Sequence, residues 1–104
     1  MAFYIISLVH TRKHNETITL WRPDNAGYCA SKESAGLYEV PQIGYHDSDT
    51  NMPVKEEDLN KLFLKLPYDS ETELSMIPNC QQIWKALGVR MTKDGLSKIK
   101  PRKP

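Results

Sequence analysis

A nine-residue stretch, Trp21 to Cys29, brings together an indole, a guanidinium, a carboxylate, an amide, a phenol and a thiol. Aromatic rings stack on planar groups, a guanidinium forks onto a phosphate or carboxylate, and short polar side chains hydrogen-bond to donors. These residue types predict a binding surface formed by Trp21, Arg22, Asp24, Asn25 and Tyr28. A purely structural interpretation stays open, in which Trp21 packs in the core and the polar residues shape a turn.

A long polar segment at residues 41–53 is the second candidate region. Loops of about this length without secondary structure are uncommon and often functional. Tyr45 and His46 are its aromatic members, and we expect them to form the second wall if there is a pocket. His10 and His14 lie in the connection between the first two predicted strands, and hairpin geometry predicts that this connection is a separate surface.

Nothing in the sequence predicts a cofactor or a metal. The spacings of His10, His14, His46, Cys29 and Cys80 match none of the paired short-range patterns of zinc sites. A cysteine nucleophile needs a base and an activating environment, and no helix N-terminus clearly follows Cys29. We therefore expect a protein that binds rather than catalyses, with a small cysteine- or histidine-dependent enzyme as an alternative.

The charge distribution is asymmetric although the net charge is only +1. Residues 1–89 carry eight Lys or Arg and twelve Asp or Glu, giving −4, and residues 90–104 have a net charge of +5. Residues 97–104 predict a disordered basic tail. This tail motivates a second alternative, binding of nucleic-acid phosphates through Lys98, Lys100, Arg102 and Lys103, supported by Lys93.

At 104 residues with 39% hydrophobic residues, the chain fits one folded domain, which we place at residues 1–96. No apolar stretch approaches the roughly 18 residues of a membrane span, and two cysteines fit a reducing compartment. We therefore expect a cytoplasmic protein that does not bind membranes. A chain of this length has little apolar surface to spare, so a homodimer stays open.

The hydrophobic pattern predicts an α+β fold, a small antiparallel sheet with two helices packed on one face. Strands are predicted at 3–9, 17–22, 37–40 and 74–77, with an edge strand at 89–96. Leu59, Leu62, Phe63 and Leu66 recur at helical spacing and predict a helix at 55–65. A second helix is predicted at 80–87, with Asn79 as its N-cap and Gly88 as its C-cap.

Four phrases of the sequence resemble one family. They are Ile6–Thr11, Ile18–Cys29, Gly44–Asp49 and Met76–Asn79. They are similar to a group of small, uncharacterised proteins of tailed phages and prophages, across roughly residues 3–88. The resemblance assigns no activity and no site residues. It implies a phage accessory protein in the host cytoplasm, a non-enzymatic module that inhibits a host defence protein or sequesters a small phosphorylated signal.

Overall fold

A computed structural model describes residues 1–99, and the elements below are those of this part of the chain. It contains eight strands, two α-helices and one short 3-10 turn at Pro23–Asn25. The strands are β1 (Phe3–Ser7), β2 (Leu20–Trp21), β3 (Tyr28–Cys29), β4 (Asn51–Lys55), β5 (Leu64–Pro67), β6 (Glu73–Met76), β7 (Val89–Thr92) and β8 (Gly95–Lys98). The helices are α1 (Glu56–Asn60) and α2 (Gln81–Leu87). The fold is α+β.

The main sheet has the order β3-β2-β1-β4, and every pairing in it is antiparallel. β1 is a central strand, between β2 and β4. Its apolar residues occupy both odd and even positions, which suits a strand that is covered on both faces. Tyr4, Ile5, Ile6 and Ser7 are all buried. The strand predicted at 17–22 is shorter than expected, since only Leu20 and Trp21 pair within the sheet.

The prediction of a loop at 41–53 is wrong at its C-terminal end, because Asn51 to Lys55 form strand β4. This strand pairs with β1 from Phe3↔Lys55 to Ser7↔Asn51. Pro53 argued against a strand in the sequence, since proline donates no backbone hydrogen bond. β4 is an edge strand, so a residue without an N–H is tolerated there.

Side chains alternate between the two faces of the main sheet, and each face has its own cover. Ile6, Leu20, Cys29 and Met52 are paired positions on one face and belong to the hydrophobic core or pack against it. The buried core residues are Tyr4, Ile6, Leu8, Ile18, Leu20, Leu59, Ile77, Val89 and Leu96. Trp21 and Tyr28 are paired on the opposite face, which the segment 22–50 covers.

The helix predicted at 55–65 is half the expected length. α1 ends at Asn60, and Leu64 to Pro67 form β5 instead. β5 pairs with β6 from Leu64↔Met76 to Pro67↔Glu73, and this tertiary pairing overrides the helical spacing of the leucines. Leu59 is still fully buried in the core, while Leu62 and Phe63 pack against it.

The C-terminal part contains two further departures from the prediction. The edge strand predicted at 89–96 is a hairpin, β7 and β8, in which Thr92 pairs with Gly95. β8 extends through Lys98, so the tail predicted from residue 97 begins inside a strand, and residues 100–104 lie outside the described part. The N-cap of α2 is Cys80 rather than Asn79, whose amide instead donates to the carbonyls of Arg12 and Asn15.

The strand predicted at 37–40 is an isolated bridge, in which Tyr38 pairs with Phe3. Gly36 permits the close approach of this segment to β2, because a Cβ atom there would lie 2.5 Å from the Cα atom of Pro23. Neither helix within residues 1–99 combines the length and apolar composition needed to cross a membrane.

Candidate functional site

Five aromatic side chains gather on the face of the sheet opposite the core, and we call them the aromatic cluster: Trp21, Tyr28, Tyr38, Tyr45 and His46. Trp21 lies at its centre. Its ring centroid is 5.2 Å from that of His46, 5.3 Å from Tyr45, 5.9 Å from Tyr28 and 6.5 Å from Tyr38. All four rings meet the indole edge to face, which is a favourable geometry for aromatic pairs.

Trp21 is held by a hydrogen bond as well as by packing. It is only 6% exposed, and its Nε1 donates to Oδ1 of Asn51 at 3.1 Å. The Asn51 amide in turn donates to the carbonyl of Tyr45 at 2.8 Å. Asn51 thus joins strand β4 to the loop before it, and sequence reasoning missed this role because it placed Asn51 in that loop.

His46 connects this loop to the turn between β2 and β3. Its Nδ1 accepts from the backbone N–H of Gln42 at 2.9 Å, so the ring proton of the neutral form lies on Nε2. Nε2 then donates to Oδ1 of Asn25 at 2.8 Å. His46 is buried, and that burial lowers its pKa from the usual 6.5. The neutral ring is therefore a structural connector between two loops.

The loop that carries Tyr45 is closed on itself. The Gln42 carbonyl accepts from the backbone amides of Tyr45, His46 and Asp47, at 3.2, 2.8 and 3.2 Å. Gly44 adopts a φ of +88°, which favours glycine, and its amide donates to the carbonyl of Asp47. Lys98 of β8 forms an ion pair with Asp47 at 2.7 Å. These bonds fix the position of Tyr45.

The turn between β2 and β3 uses two of the predicted site residues for its backbone. Asp24 and Asn25 both have a φ of 58°, a left-handed conformation that short polar residues tolerate. The backbone N–H of Asn25 donates to the Tyr38 hydroxyl at 3.0 Å, and the same hydroxyl donates to the Arg22 carbonyl. Asp24 is exposed, and it does not line the cleft described next.

A small cleft opens between the two loops. Its lining contains Trp21, Asn25, Tyr28 and Tyr45, and its volume is about 100 Å³. Pockets that hold drug-sized ligands measure roughly 300 to 1,000 Å³. Among the described residues that line the cleft, none is cationic. A cleft of this volume has room for about one side chain and is too small for a nucleotide.

Arg22 does not join the cleft, although it follows Trp21 directly. Successive side chains of a strand point to opposite faces, so Arg22 points away from the indole. Its Nε donates to the Tyr28 carbonyl at 2.9 Å, and its side chain lines a different groove together with Cys29 and Ser31. The structure therefore separates the predicted guanidinium from the predicted aromatic residues.

His10 joins the aromatic cluster at its edge, and the prediction that His10 belongs to a separate surface is wrong. The rings of His10 and Tyr28 lie 4.2 Å apart between centroids. The chain bends after β1, where His10 Nδ1 bonds to the Ser7 hydroxyl at 2.8 Å and Thr19 donates to the His10 carbonyl. This bend places the His10 ring beside Tyr28 of β3.

The segment 37–45 exposes an unusual amount of apolar surface. Val40 is 83% exposed and Ile43 is 93% exposed, and Leu37 and Tyr45 are each about half exposed. A single exposed apolar side chain is ordinary, whereas several within one short segment indicate an interaction surface. Tyr45 places the end of this segment against Trp21.

Other candidate groups are placed as follows. Burial raises the pKa of the Cys29 thiol, against a smaller lowering by the Ser31 backbone and the Arg22 charge, which leaves a poor nucleophile. Within residues 1–99, no three His, Cys, Asp or Glu side chains are grouped to hold a metal ion. Of the predicted basic residues, Lys98 pairs with Asp47, and Lys100, Arg102 and Lys103 lie outside the described part.

A groove larger than the small cleft lies elsewhere, beside edge strand β4. Its volume is about 580 Å³, and its walls include Met52 and Val54 of β4, Leu62 after α1 and Leu87 of α2. None of the binding residues predicted from the sequence lines this groove.

Comparison with protein-family models, with curated proteins and with solved structures finds no match to the chain. The resemblance to the phage group, and the host context that it implies, therefore stay predictions.

Proposed function

We propose that this protein is a non-enzymatic module that recognises another protein through the surface formed by residues 37–45 and Tyr28. The observation that supports the proposal most is the exposure of Val40 and Ile43 beside a rigidly held Tyr45. Protein interfaces favour aromatic residues and a desolvated apolar centre. A loop fixed before binding also loses less conformational entropy when it binds.

The small cleft supports a protein partner over a free small ligand. At about 100 Å³, it can receive one side chain, and Trp21 and Tyr28 provide aromatic walls for it. A phosphorylated ligand would need a cation at this point, and Arg22 is held on the other side of β2 by its bond to the Tyr28 carbonyl. Sequestration of a small phosphorylated signal is therefore the weaker alternative at the aromatic cluster.

The resemblance to phage proteins supplies the biological part of the proposal. The partner is a host protein in the cytoplasm, such as a defence protein, and binding inhibits it. The proposal keeps the expectation that both helices pack on one face of the main sheet, which leaves the outer surface of the segment that covers the opposite face for the partner. Leu59 in the core and Trp84 packed against it support this arrangement.

The test is quantitative co-purification from producing cells, with three versions of the tagged full chain. These are the wild type, the double variant Val40→Asp/Ile43→Asp, and a matched control, Leu64→Asp. All three substituted side chains are half exposed or more, so each variant should keep its fold, which circular dichroism and the melting temperature check. We expect one host protein that is enriched with the wild type and the control and is lost with the double variant.

A buried charge at a protein interface costs several kcal/mol, so the loss of enrichment should exceed about tenfold. Equal enrichment with the double variant would contradict the assigned surface. Absence of any enriched protein with the wild type would contradict the proposed function. Enrichment of nucleic acid that the double variant leaves unchanged would favour the alternative based on the basic C-terminal residues.

A further inference from the structure

A second groove lies on the other side of strands β2 and β3 from the aromatic cluster. Its volume is about 210 Å³. Arg22 and Cys29 form one wall, the turn that begins at Ser31 forms the next, and Leu74 and Met76 of β6 form the apolar wall. Arg22 supplies its charge, and no carboxylate is among the described residues that line the groove.

The guanidinium of Arg22 has bonding capacity left in this groove. Its Nε is fixed by the Tyr28 carbonyl at 2.9 Å, which holds the side chain in one orientation. The ion pairs in residues 1–99 join Lys65 to Glu33 and Lys98 to Asp47, and neither involves Arg22. The terminal nitrogens of Arg22 are therefore positioned and have no carboxylate partner within the described chain.

Ser31 adds a hydroxyl-bearing residue to the wall of the groove. It is only 5% exposed, and it lines the groove. Within residues 1–99, every fully enclosed side-chain nitrogen or oxygen has a hydrogen-bond partner, so this hydroxyl is not an orphaned buried group. A hydroxyl both donates and accepts, so a ligand oxygen in the groove can bond to it.

The backbone holds this hydroxyl in place. The Ser31 carbonyl accepts from the amides of Ser34 and Ala35, at 3.2 and 3.0 Å, and closes a tight turn. Ser34 follows on the same turn and also lines the groove. A hydroxyl pair on a fixed turn and a fixed guanidinium therefore border one volume, and all of them donate hydrogen bonds.

We propose that this groove binds a small molecule that carries a compact oxyanion, a phosphate or a carboxylate, joined to a short apolar part. Arg22 pairs with the oxyanion, Ser31 and Ser34 donate to its oxygens, and Leu74 and Met76 contact the apolar part. Charge-assisted hydrogen bonds of this kind are stronger than neutral ones, and arginine suits planar or tetrahedral oxyanions.

Glu33 and Asp69 are next in the sequence to residues of the groove, and their carboxylate oxygens accept hydrogen bonds from residues that do not line it. The Glu33 carboxylate accepts from the Ser75 amide at 3.0 Å and pairs with Lys65. The Asp69 carboxylate accepts from the amides of Glu71 and Thr72 within its own turn. The inference uses none of the exposed residues of segment 37–45, so it stands or falls separately from the proposed function.

The test is a titration of the full-length protein followed by NMR, at constant ionic strength, with phenyl phosphate, benzoate and benzylamine as probes. We expect saturable shifts of the Arg22 Nε–H and of the Ser31 and Ser34 amides with an anionic probe and none with benzylamine. Saturation by phenyl phosphate alone, or by benzoate alone, identifies which oxyanion the groove takes. Lack of saturation with both anions overturns the proposal.

Two variants separate binding in the groove from general attraction to positive charge. Ser31→Ala removes only a hydroxyl, so the fold should be retained, which circular dichroism checks, and we expect about tenfold weaker binding from the loss of one charge-assisted hydrogen bond. Arg22→Gln should weaken binding at least as much. Lys13→Gln removes the same charge from an exposed residue outside the groove and should leave affinity unchanged. Unchanged affinity in Ser31→Ala would overturn the proposal.

Discussion

His46 and Asn25 are separated by 21 positions in the sequence and joined by a hydrogen bond of 2.8 Å between Nε2 and Oδ1. This bond closes the loop that carries Tyr45 onto the turn that follows Trp21. The other ring nitrogen, Nδ1, accepts from the backbone N–H of Gln42, and this second bond requires a neutral ring. The shape of the aromatic cluster therefore depends on the protonation state of one buried imidazole.

Acid should weaken the fold through His46. Burial lowers its pKa in the folded state from the usual 6.5, so the unfolded chain binds the proton more readily. Stability contributed by the neutral ring is complete above about pH 6.5 and falls as the pH drops from there toward the folded-state pKa. Urea denaturation between pH 8 and pH 5 measures this loss.

A His46→Asn variant provides the comparison. It should be less stable at pH 8, by about 1 to 3 kcal/mol, because buried backbone and amide groups lose a partner. Its stability should also change less between pH 7 and pH 5 than that of the wild type. A His14→Gln variant, altered at an exposed ring, should keep the slope of the wild type. Equal slopes in wild type and His46→Asn would contradict the connector role.

Trp21 should tolerate phenylalanine far better than alanine. Trp21→Ala removes the centre of the aromatic cluster and should cost about 3 to 5 kcal/mol. Trp21→Phe keeps a ring and leaves the Asn51 amide oxygen without the indole donor, which should cost about 1 to 3 kcal/mol. Denaturation midpoints measure both changes. Similar losses for the two variants would show that ring packing matters little here.

Because Trp21 is buried, a loss of binding in Trp21→Ala cannot be separated from unfolding.

The sequence predicted a binding surface at Trp21 and the residues that follow it, but it could not show which of their side chains point to solvent. Strand alternation decides that, and it sends Arg22 and Trp21 to opposite faces of β2. Tyr45 was predicted as a binding residue and Ile43 lies in the predicted loop, whereas Leu37 and Val40 were assigned to a strand, because their pattern does not distinguish an exposed loop from a short strand.

Of the two predicted helices, one forms as its sequence pattern predicts and the other forms only in part. α2 forms where its apolar spacing and Gly88 predict it, and Gly88 adopts the left-handed conformation of a C-cap. The spacing of Leu59, Leu62 and Leu66 is also helical, but α1 ends at Asn60 and Leu66 lies in β5, because β6 offers a pairing partner. Contacts of this kind join residues far apart in the sequence, so local periodicity does not contain them.

Gly36 should not accept a side chain. A Cβ atom at this position would lie 2.5 Å from Cα and 2.6 Å from the nitrogen of Pro23, and backbone atoms cannot move aside cheaply. Gly36→Ala should therefore destabilise the fold by about 1 to 3 kcal/mol. The exposed neighbour Leu37→Ser should change stability by no more than about 0.5 kcal/mol, as surface substitutions do. Melting temperatures of the two variants test the contrast.

Cys29 should react slowly with thiol reagents at neutral pH. Burial raises its pKa, which reduces the reactive thiolate fraction, and the side chain is only partly accessible. We expect modification of Cys29 by iodoacetamide at pH 7 to be slower than that of free cysteine, measured by peptide mass spectrometry. Faster modification than free cysteine would favour the cysteine-dependent enzyme over the binding module.

The most direct measurement of the central claim is amide hydrogen exchange of the protein alone and with the host protein that co-purifies with it. The account predicts slower exchange on binding at residues 37–47 and at the turn around Asn25 and Tyr28. It also predicts no change along β4, beside the groove of about 580 Å³. Protection confined to β4, or to the C-terminal hairpin of β7 and β8, would contradict the assignment of residues 37–45 as the recognition surface.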